Sequence, residues 1–310
     1  MKQLRIGITG ATGFIGMQLL QHFIEAGHSV AVLTRSPEKI DEHANISIFS
    51  TDLAQPDTAV LNAFTASLDV LYHLAGELSN EANMQAVNVE GTIALLEAMD
   101  YSKTRLIHLS SMGIFDFKNE KITEESTKAP FNTYEKTKLA AEELIDKEEM
   151  KGLKVVVLRP SIVLGHQMKS SLLTQLLRLI RFGIDLKVGA KTYAKLVLAE
   201  DLIRALKLIG TKDTLDGQRY NFSNDIPLKT LLTHLKVTNG SRFYFPFAVK
   251  LFQLGLRLGR SLGVLRISPE GIAFFSSTST ISNEKIKRDL DFEFTADYRP
   301  FLQEYVTYHT

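Results

Sequence analysis

Hydrophobic residues in the first half of the chain fall into short, continuous runs separated by longer amphipathic stretches. The short runs consist mostly of valine, isoleucine and leucine, which is typical of strands buried on both faces. The pattern predicts six strands, at residues 4–9, 29–34, 46–49, 70–74, 105–110 and 154–158. Helical patterns at residues 14–26, 82–99 and 133–150 fill gaps between them. This alternation predicts an α/β fold in which helices cover both faces of a doubly wound (Rossmann) parallel sheet.

The regular alternation ends near Pro160, and most of the later pattern is helical. We therefore predict that residues 1–165 form the Rossmann domain and that residues 190–225 return to it. Residues 166–189 and 226–310 are predicted to form a smaller, mostly helical C-terminal lobe.

The composition excludes several kinds of site. The 310 residues include no cysteine, which rules out disulfides, thiolate nucleophiles and Cys-ligated metal centres. Lysine plus arginine number 36 against 35 acidic residues, so the net charge is only +1. The sequence therefore lacks the excess of positive charge that is typical of proteins that bind nucleic acid. The sequence has no metal-ligand spacing, and no metal is predicted. The first residues have no signal-peptide pattern, so we predict a cytoplasmic protein.

A long apolar segment at residues 248–263 carries four polar residues on a single stripe: Lys250, Gln253, Arg257 and Arg260. These charges are too frequent for a bilayer-spanning helix, so no transmembrane segment is predicted. A helix packed within the C-terminal lobe explains the pattern, and membrane-surface contact or dimerisation are the alternatives.

The first strand runs into a glycine-rich turn, residues 9–16, and then directly into an amphipathic helix. A strand, turn and helix in this order point backbone N–H groups and the positive helix end at a pyrophosphate, and glycine permits a tight turn and a close ligand. We therefore predict that this glycine turn binds a dinucleotide. The predicted contacts are Gly10, Thr12, Gly13, Phe14, Ile15 and Gly16.

The second strand ends in Thr34-Arg35-Ser36, where proteins specific for NAD usually carry an acidic residue for the ribose 2′-hydroxyl. A guanidinium beside a serine suits a 2′-phosphate, because it can donate charge-assisted, bidentate hydrogen bonds. Arg35 and Ser36 therefore favour NADP(H) over NAD, with an exposed loop arginine as the alternative interpretation.

Tyr134 and Lys138 stand four residues apart in a predicted helix, so that their side chains project from the same face. A nearby ammonium stabilises a phenolate, and the pair can then transfer protons near neutral pH. The fifth strand ends close to Ser111, at the sheet edge where doubly wound sheets bind ligands. We predict that Ser111 hydrogen-bonds the carbonyl or alkoxide oxygen on which Tyr134 acts.

Together these motifs resemble the extended short-chain dehydrogenases, also called the NAD-dependent epimerase/dehydratase family, over most of the chain. In that family the catalytic serine stands four residues before the aromatic residue of a Val-Tyr-Gly segment. The chain has Ile114-Phe115-Asp116 there, so the resemblance selects Ser111 over Ser110. Asp116 and Phe115 depart from the family pattern.

The resemblance extends to further segments at the ends of predicted strands. It implies that Asp52, Leu53, Leu74, Ala75 and Gly76 flank the adenine and its ribose, with small residues letting the cofactor lie close. It also implies that Pro160 and Ile162 border the nicotinamide and that Tyr134 and Lys138 contact the cofactor as well as the substrate. The resemblance further implies that the C-terminal lobe binds the substrate and that the protein is a homodimer.

Three functions are compatible with these motifs. The first is an NADP(H)-dependent oxidoreductase that transfers hydride to or from a carbonyl or secondary alcohol, in a keto-sugar nucleotide or an apolar ketone. The phenylalanine-rich residues 243–247 lean towards the apolar ketone. The second is a nucleotide-sugar epimerase with tightly held NAD(P), against which Arg35 argues. The third is a dinucleotide-binding regulator without turnover, which the intact set of Ser111, Tyr134 and Lys138 disfavours.

Overall fold

Seven parallel strands form the centre of the molecule. The computed structural model describes residues 3–165, 172–181, 184–187, 189, 191–239, 245–248, 274 and 277–308. In spatial order the strands are β12 (Gln218–Phe222), β7 (Val155–Pro160), β5 (Arg105–Leu109), β4 (Val70–His73), β1 (Arg5–Thr9), β2 (Ser29–Thr34) and β3 (Ile46–Ser50). Every neighbouring pair is parallel, which confirms the predicted doubly wound sheet.

The strand order reverses between β1 and β4, and this reversal opens a crevice at the carboxyl ends of the strands. The two strands pair in register from Ile6 with Val70 to Thr9 with His73. In open α/β sheets, ligands bind at this position.

Helices lie on both faces of the sheet. The described helices are α1 (Phe14–Glu25), α2 (Thr58–Thr65), α3 (Glu81–Gln85), α4 (Gly91–Glu97), α5 (Thr133–Glu149), α6 (Leu172–Arg181), α7 (Ala199–Gly210), α8 (Leu228–Asn239), α9 (Glu284–Leu290) and α10 (Arg299–Tyr308). One apolar cluster joins α1 and α7 to the sheet through Leu19, Leu202 and Val156. A second joins α2, α4 and α5 to the opposite face through Leu61 and Leu95. The sheet is therefore buried on both sides except at its edge strand β3, which was predicted to be buried but is half-buried or exposed because it has a neighbour on one side only.

The helix predicted at residues 82–99 is interrupted in the structure. A π-helical turn, Ala86–Glu90, separates α3 from α4. A side chain at Gly91 would meet the backbone oxygen of Leu53 at 2.6 Å, so α4 is pressed against the loop after β3. Single π turns of this kind are frequent at functional sites.

The rest of the described chain contains short strands and a separate apolar cluster. The strands are β6 (Lys121–Ile122), β8 (Ile162–Leu164), β9 (Ile184–Lys187), β10 (Tyr193–Ala194), β11 (Leu196–Leu198), β13 (Ile226–Pro227), β14 (Phe245–Ala248) and β15 (Thr280–Ile281). Residues of α6, α8 and α10, including Leu177, Leu231 and Tyr305, pack into their own cluster. This core lies apart from the two that cover the sheet.

The helix predicted at residues 248–263 lies, apart from the first residue, outside the described residues, and its polar stripe stays a prediction. Among the helices that the structure describes, none combines the length and the apolar character that crossing a bilayer requires.

Candidate active site at the carboxyl edge of the sheet

The residues predicted for the site lie where strands of the central sheet end. The glycine turn follows β1, Arg35 and Ser36 follow β2, and Asp52 and Leu53 follow β3. Leu74, Ala75 and Gly76 follow β4, Ser111 follows β5, and Pro160 ends β7, two residues before Ile162 in β8. Because parallel strands end at the same edge of a sheet, these segments line one crevice.

The glycine turn is held by close backbone approaches. Gly10 has a φ of 75°, in the left-handed region, and a side chain on it would lie 2.8 Å from the amide nitrogen of Ala75. A side chain on Gly16 would lie 2.2 Å from the carbonyl oxygen of Gly10. These positions require glycine, because the displaced atoms belong to the backbone rather than to a flexible side chain.

The start of α1 suits a phosphate group. Gly13 is its N-cap, with extended backbone, and no side chain among the described residues caps it. The first amide N–H groups of a helix have no partner within the helix and carry partial positive charge. The uncapped turn therefore fits the pyrophosphate of a dinucleotide, which residues 12–16 would hold through their backbone.

Phe14 connects the glycine turn to the segment after β8. Its ring lies so close to Gly165 that a side chain there would overlap the ring at 1.8 Å. The predicted phosphate-binding turn is therefore packed against the segment that follows β8.

Arg35 stands at the outer end of the crevice beside a carboxylate. Its Nη1 lies 3.7 Å from Oδ2 of Asp52, and the two side chains are 58% and 43% exposed. Such an exposed ion pair is worth little in stability, so the guanidinium is available to another anion. The pKa of Glu77 lies below its usual value mainly because backbone N–H groups bond its carboxylate. The positive charge of Arg35 lowers it further.

His73 is a structural residue at the end of β4. The Thr92 hydroxyl donates to the carbonyl oxygen of Asn88 at 2.8 Å, so it accepts from His73 Nε2 at 2.9 Å. Nδ1 then accepts from the Thr9 hydroxyl at 2.7 Å, and Thr9 in turn accepts from the amide of Ala75 at 3.2 Å. Burial lowers the pKa of His73 to about 3, which keeps it neutral. With both ring nitrogens bonded to threonine hydroxyls, His73 has a structural place in the fold.

Tyr134 and Lys138 lie in the first turns of α5. The helix begins after Asn132, whose side chain accepts a hydrogen bond from the amide of Glu135 at 2.8 Å. The ammonium of Lys138 lies 6.0 Å from the centre of the Tyr134 ring. The predicted pair therefore shares one face of the helix.

Lys138 is buried and tied to the end of β5. Its ammonium donates to the carbonyl oxygen of Leu109 at 2.8 Å, and a side chain on Gly76 would lie 3.5 Å from it. Burial lowers the pKa of Lys138 to about 8, while the carboxylates of Glu135 and Glu142 raise it. One amine thus links the ends of β4 and β5 to α5.

Ser111 occupies the turn after β5. Its hydroxyl accepts a hydrogen bond from the amide of Gly113 at 3.1 Å, capping a short 3-10 turn, Met112–Ile114. Ser111 is partly exposed, whereas the neighbouring Ser110 is buried at 3% exposure. Of the two serines, Ser111 is the one that a ligand can reach.

Burial dominates the ionisation of Tyr134. It raises the pKa of the phenol above the usual value, and the charge of Glu135 raises it further. Tyr134 therefore carries its proton at neutral pH in the protein alone, which is the form required of a proton donor.

Three polar residues at this edge were not predicted from the sequence as parts of the site. Glu135 is 7% exposed, and its carboxyl fills the space that a side chain on Gly113 would take. His108 is buried beside His73, with ring centres 5.3 Å apart. Asn88, in the π turn, donates to Thr137 at 2.9 Å and so ties the turn to α5. The signal for Glu135 was its position beside Tyr134, and only the folded chain reveals that its carboxyl lies against Gly113.

Comparison with known proteins agrees with this architecture. The sequence model of the NAD-dependent epimerase/dehydratase family matches residues 6–222. A UDP-glucuronic acid 4-epimerase from Bacillus cereus, solved with NAD, superposes with a TM-score of 0.77 at 18% identity, covering 99% of this chain and 96% of that one. The Thermotoga maritima UDP-glucose 4-epimerase superposes with a TM-score of 0.73 at 20% identity, covering 98% of each chain. At these identities, the likeness concerns the fold.

Similar sequences include enzymes with different substrates. A 4-hydroxy-2-methyl-3-oxo-4-farnesyl-3,4-dihydroquinoline-1-oxide ketoreductase from Stigmatella aurantiaca is 27% identical, covering 93% of this chain and 92% of the relative. A decarboxylating sterol-4-alpha-carboxylate 3-dehydrogenase from Candida albicans is 26% identical, covering 81% and 79%. A hybrid PKS-NRPS synthetase from Penicillium oxalicum is 27% identical, but the chain spans only 6% of its length.

The family match covers more than half of the chain, includes all of the seven-stranded sheet except the first residue of β1, and confirms the resemblance predicted from the motifs. The chain therefore belongs to the NAD-dependent epimerase/dehydratase family and is an NAD(P)-dependent enzyme of the extended short-chain dehydrogenase type.

Proposed function

We propose that the protein is an NADP(H)-dependent reductase of an apolar ketone, acting reversibly on the corresponding secondary alcohol. The observation that carries the proposal is the buried ammonium of Lys138, 6.0 Å from the Tyr134 ring and bonded to the strand end that precedes Ser111. A phenol, an amine and a hydroxyl thus converge at the crevice where this family binds its cofactor.

Each of the three residues has a distinct role in the proposal. The bound nicotinamide supplies hydride. Ser111 donates a hydrogen bond to the substrate oxygen and orients it. Tyr134 gives its proton to that oxygen as negative charge develops there, and the Lys138 ammonium stabilises the phenolate that Tyr134 becomes. The raised pKa of Tyr134 supports reduction as the favoured direction, because the residue enters the reaction protonated.

The preference for NADP(H) rests on Arg35 at the end of β2. The guanidinium is exposed, and its partner Asp52 is 3.7 Å away, longer than a tight ion pair. A 2′-phosphate would compete for Arg35 through charge-assisted hydrogen bonds. Ser36 stands next to it and would add a hydroxyl donor.

The choice of an apolar ketone is supported by relatives that match most of the chain. Two of these are a ketoreductase of a farnesyl-substituted quinoline oxide and a sterol carboxylate dehydrogenase. We assign the substrate to the predicted C-terminal lobe, residues 166–189 and 226–310, with residues 1–165 and 190–225 holding the cofactor. Of the phenylalanine-rich residues 243–247, the first two lie outside the described residues.

We further propose that the enzyme acts in the cytoplasm as a homodimer. The absence of cysteine from all 310 residues supports a reducing compartment. The assembly state is measured by sedimentation at micromolar protein concentration, where a single monomeric species would contradict it.

The proposed reaction is tested by following the absorbance of NADPH with a panel of carbonyl compounds that includes prenylated quinolones, 3-ketosteroids and keto-sugar nucleotides. We expect NADPH to be consumed with an apolar ketone and more slowly with the sugar nucleotides. Absence of consumption with every compound, from enzyme that still binds NADPH, would overturn the proposal in favour of a binding protein.

A further inference from the structure

A buried ion pair joins the central sheet to α5, the helix that carries Tyr134 and Lys138. Arg159, the last residue but one of β7, donates from Nε to Oε1 of Glu142 at 2.9 Å and from Nη2 to Oε2 at 2.7 Å. Both side chains are at most 3% exposed. Glu142 lies in α5 about one helical turn after Lys138. The pair therefore fixes α5 to the sheet close to the lysine.

The same guanidinium also packs against residues 111–115, which we call the serine turn. Its Cζ lies 5.2 Å from the centre of the Phe115 ring, and Phe115 is 1% exposed. Phe115 directly follows the 3-10 turn that Ser111 caps, and its amide donates to the carbonyl oxygen of Met112 at 3.3 Å. A guanidinium can bond a carboxylate at its edge and cover an aromatic ring with its face. Arg159 thus contacts α5 and the serine turn with one rigid group.

A second cation connects Glu142 to the serine turn. The Lys128 ammonium lies 3.7 Å from Oε2 of Glu142, and Lys128 pairs with Phe115 in an isolated antiparallel bridge. Next to this bridge, the amide of Ala129 donates to the carbonyl oxygen of Ile114 at 2.8 Å. The Lys128 side chain is 32% exposed, so its ion pair is weaker than the buried one. Glu142 is therefore held from the serine turn as well as from β7.

Stability alone does not require such a buried pair. Removing two charges from water offsets most of their attraction, and apolar residues of similar size often replace a buried ion pair without loss of stability. A bidentate pair does supply a fixed geometry, because its two parallel N–H···O bonds hold both groups in one relative orientation. In this molecule the geometry that it fixes is that of α5 against the serine turn.

We propose that Arg159 is a positioning residue that holds the hydroxyl of Ser111 at a fixed distance from the phenol of Tyr134. It acts through Phe115 on one side and Glu142 on the other. The inference rests on the proposed function, in which the hydroxyl and the phenol act on the same substrate oxygen. A misplacement of about 1 Å in such an arrangement can slow the reaction by about 100-fold.

The conservative variant Arg159→Lys separates the geometry from the charge. Lysine keeps a cation beside Glu142, so the electrostatic surroundings of Lys138 change little, but its ammonium offers neither a bidentate pair nor a planar face for Phe115. We expect kcat to fall by about 10-fold to 100-fold, with the Kd for NADPH unchanged. A kcat equal to that of the wild type, or an equal loss in NADPH affinity, would overturn the inference.

Arg105→Lys is the matched control at the opposite end of the strands. Arg105 is 4% exposed at the start of β5, where its guanidinium pairs with Asp216 and donates to the carbonyl oxygen of Ile209 at 2.7 Å. The site lies at the carboxyl ends of the strands, so we expect Arg105→Lys to lower the free energy of unfolding and to leave kcat unchanged. A loss of kcat in both variants that follows their loss of stability would reduce Arg159 to a structural role.

The coupling between Arg159 and Ser111 tests the positioning role itself. If Arg159 aligns the serine hydroxyl with the phenol, its substitution should have little effect once the hydroxyl is removed. We expect Arg159→Lys to lower kcat by no more than about 2-fold in the Ser111→Ala background. A merely structural residue would give the same fractional loss in both backgrounds, and that result would contradict the proposal.

A measurement without substrate distinguishes this inference from the proposed function. In the NADPH complex, the amides of residues 113 and 115 should exchange hydrogen faster in Arg159→Lys than in the wild type, and Phe115→Leu should have the same effect because it removes the ring face. Arg105→Lys should leave both amides unchanged. If exchange behaves as expected but no ketone is reduced, the proposed function fails and the link between α5 and the serine turn stands. Unchanged exchange in Arg159→Lys would mean that the guanidinium does not hold the serine turn, and the inference would be wrong.

Discussion

The two sides of the crevice are built by different means. On the side of β1, the glycine turn is fixed by backbone approaches, such as the 2.2 Å that would separate a Gly16 side chain from the oxygen of Gly10. On the side of β5, α5 brings buried ionisable side chains together, with Lys138 bonded to Leu109 at 2.8 Å. The first side depends on the absence of side chains, and the second on their chemistry. Substitutions on the two sides should therefore fail in different ways.

The largest effect is expected on the glycine side. Gly16→Ala should abolish dinucleotide binding, because its methyl group would overlap the backbone of the turn rather than a movable side chain. Binding is measured by NADPH fluorescence titration of the purified, folded variant. Gly27→Ala is the control at the other end of α1: its φ is 78°, but nothing lies within 4 Å. It should cost about 1 kcal/mol of stability and leave binding intact, and equal loss in both variants would break the distinction.

On the α5 side, Tyr134→Phe should separate turnover from binding. The variant keeps the ring packing and loses the acidic proton, so we expect kcat to fall by about 100-fold or more and the Kd for NADPH to change little. Steady-state kinetics and fluorescence titration measure the two quantities. A parallel loss in both would mean that Tyr134 supports the structure instead of the chemistry.

Arg35→Ala should have a smaller effect that is confined to one cofactor. Loss of its bonds to a 2′-phosphate should weaken NADPH binding by about tenfold to a hundredfold, while NADH binding stays the same. Comparing the Kd values of both cofactors in both proteins checks this. An equal effect on NADH would assign Arg35 to the loop structure and remove the basis for the NADP(H) preference.

The smallest effect concerns stability and sharpens the description of α5. Burial raises the pKa of Glu135 from 4.5 to about 7, so between these values the folded protein retains a proton that the unfolded chain releases. The free energy of unfolding should therefore fall as pH rises through this window, by at most about 1.4 kcal/mol per unit. Urea titrations should find this decline removed in Glu135→Gln. An identical pH slope in both proteins would indicate that Glu135 ionises freely.

The sequence was informative where a pattern determines backbone geometry. The buried valine and isoleucine runs predicted strands β1, β2, β4, β5 and β7 to within a few residues, because strands covered on both faces must be apolar throughout. The edge strand β3 was also located, but it is half-buried or exposed rather than covered on both faces. The glycine spacing likewise located the turn before α1. The assignment of Ser111, Tyr134 and Lys138 to catalysis stays a prediction, although the structure gathers them at one edge.

What the sequence missed depends on contacts between distant segments. The burial of Glu135 was not predicted, because it arises only when Gly113 leaves room for its carboxyl. The π turn at Ala86–Glu90 was also not predicted; it contains Asn88, which bonds Thr137, 49 residues away. No local periodicity contains such information.

The central claim is that Tyr134, Lys138 and Ser111 serve hydride transfer to a carbonyl carbon. The most direct test is a single turnover with NADPH deuterated at the transferred position of the nicotinamide and an apolar ketone, followed by mass spectrometry of the alcohol. We predict deuterium on the former carbonyl carbon with the wild type and almost none on the same timescale with Tyr134→Phe. Equal deuterium transfer by the two proteins, or none by the wild type from any carbonyl compound, would contradict the account.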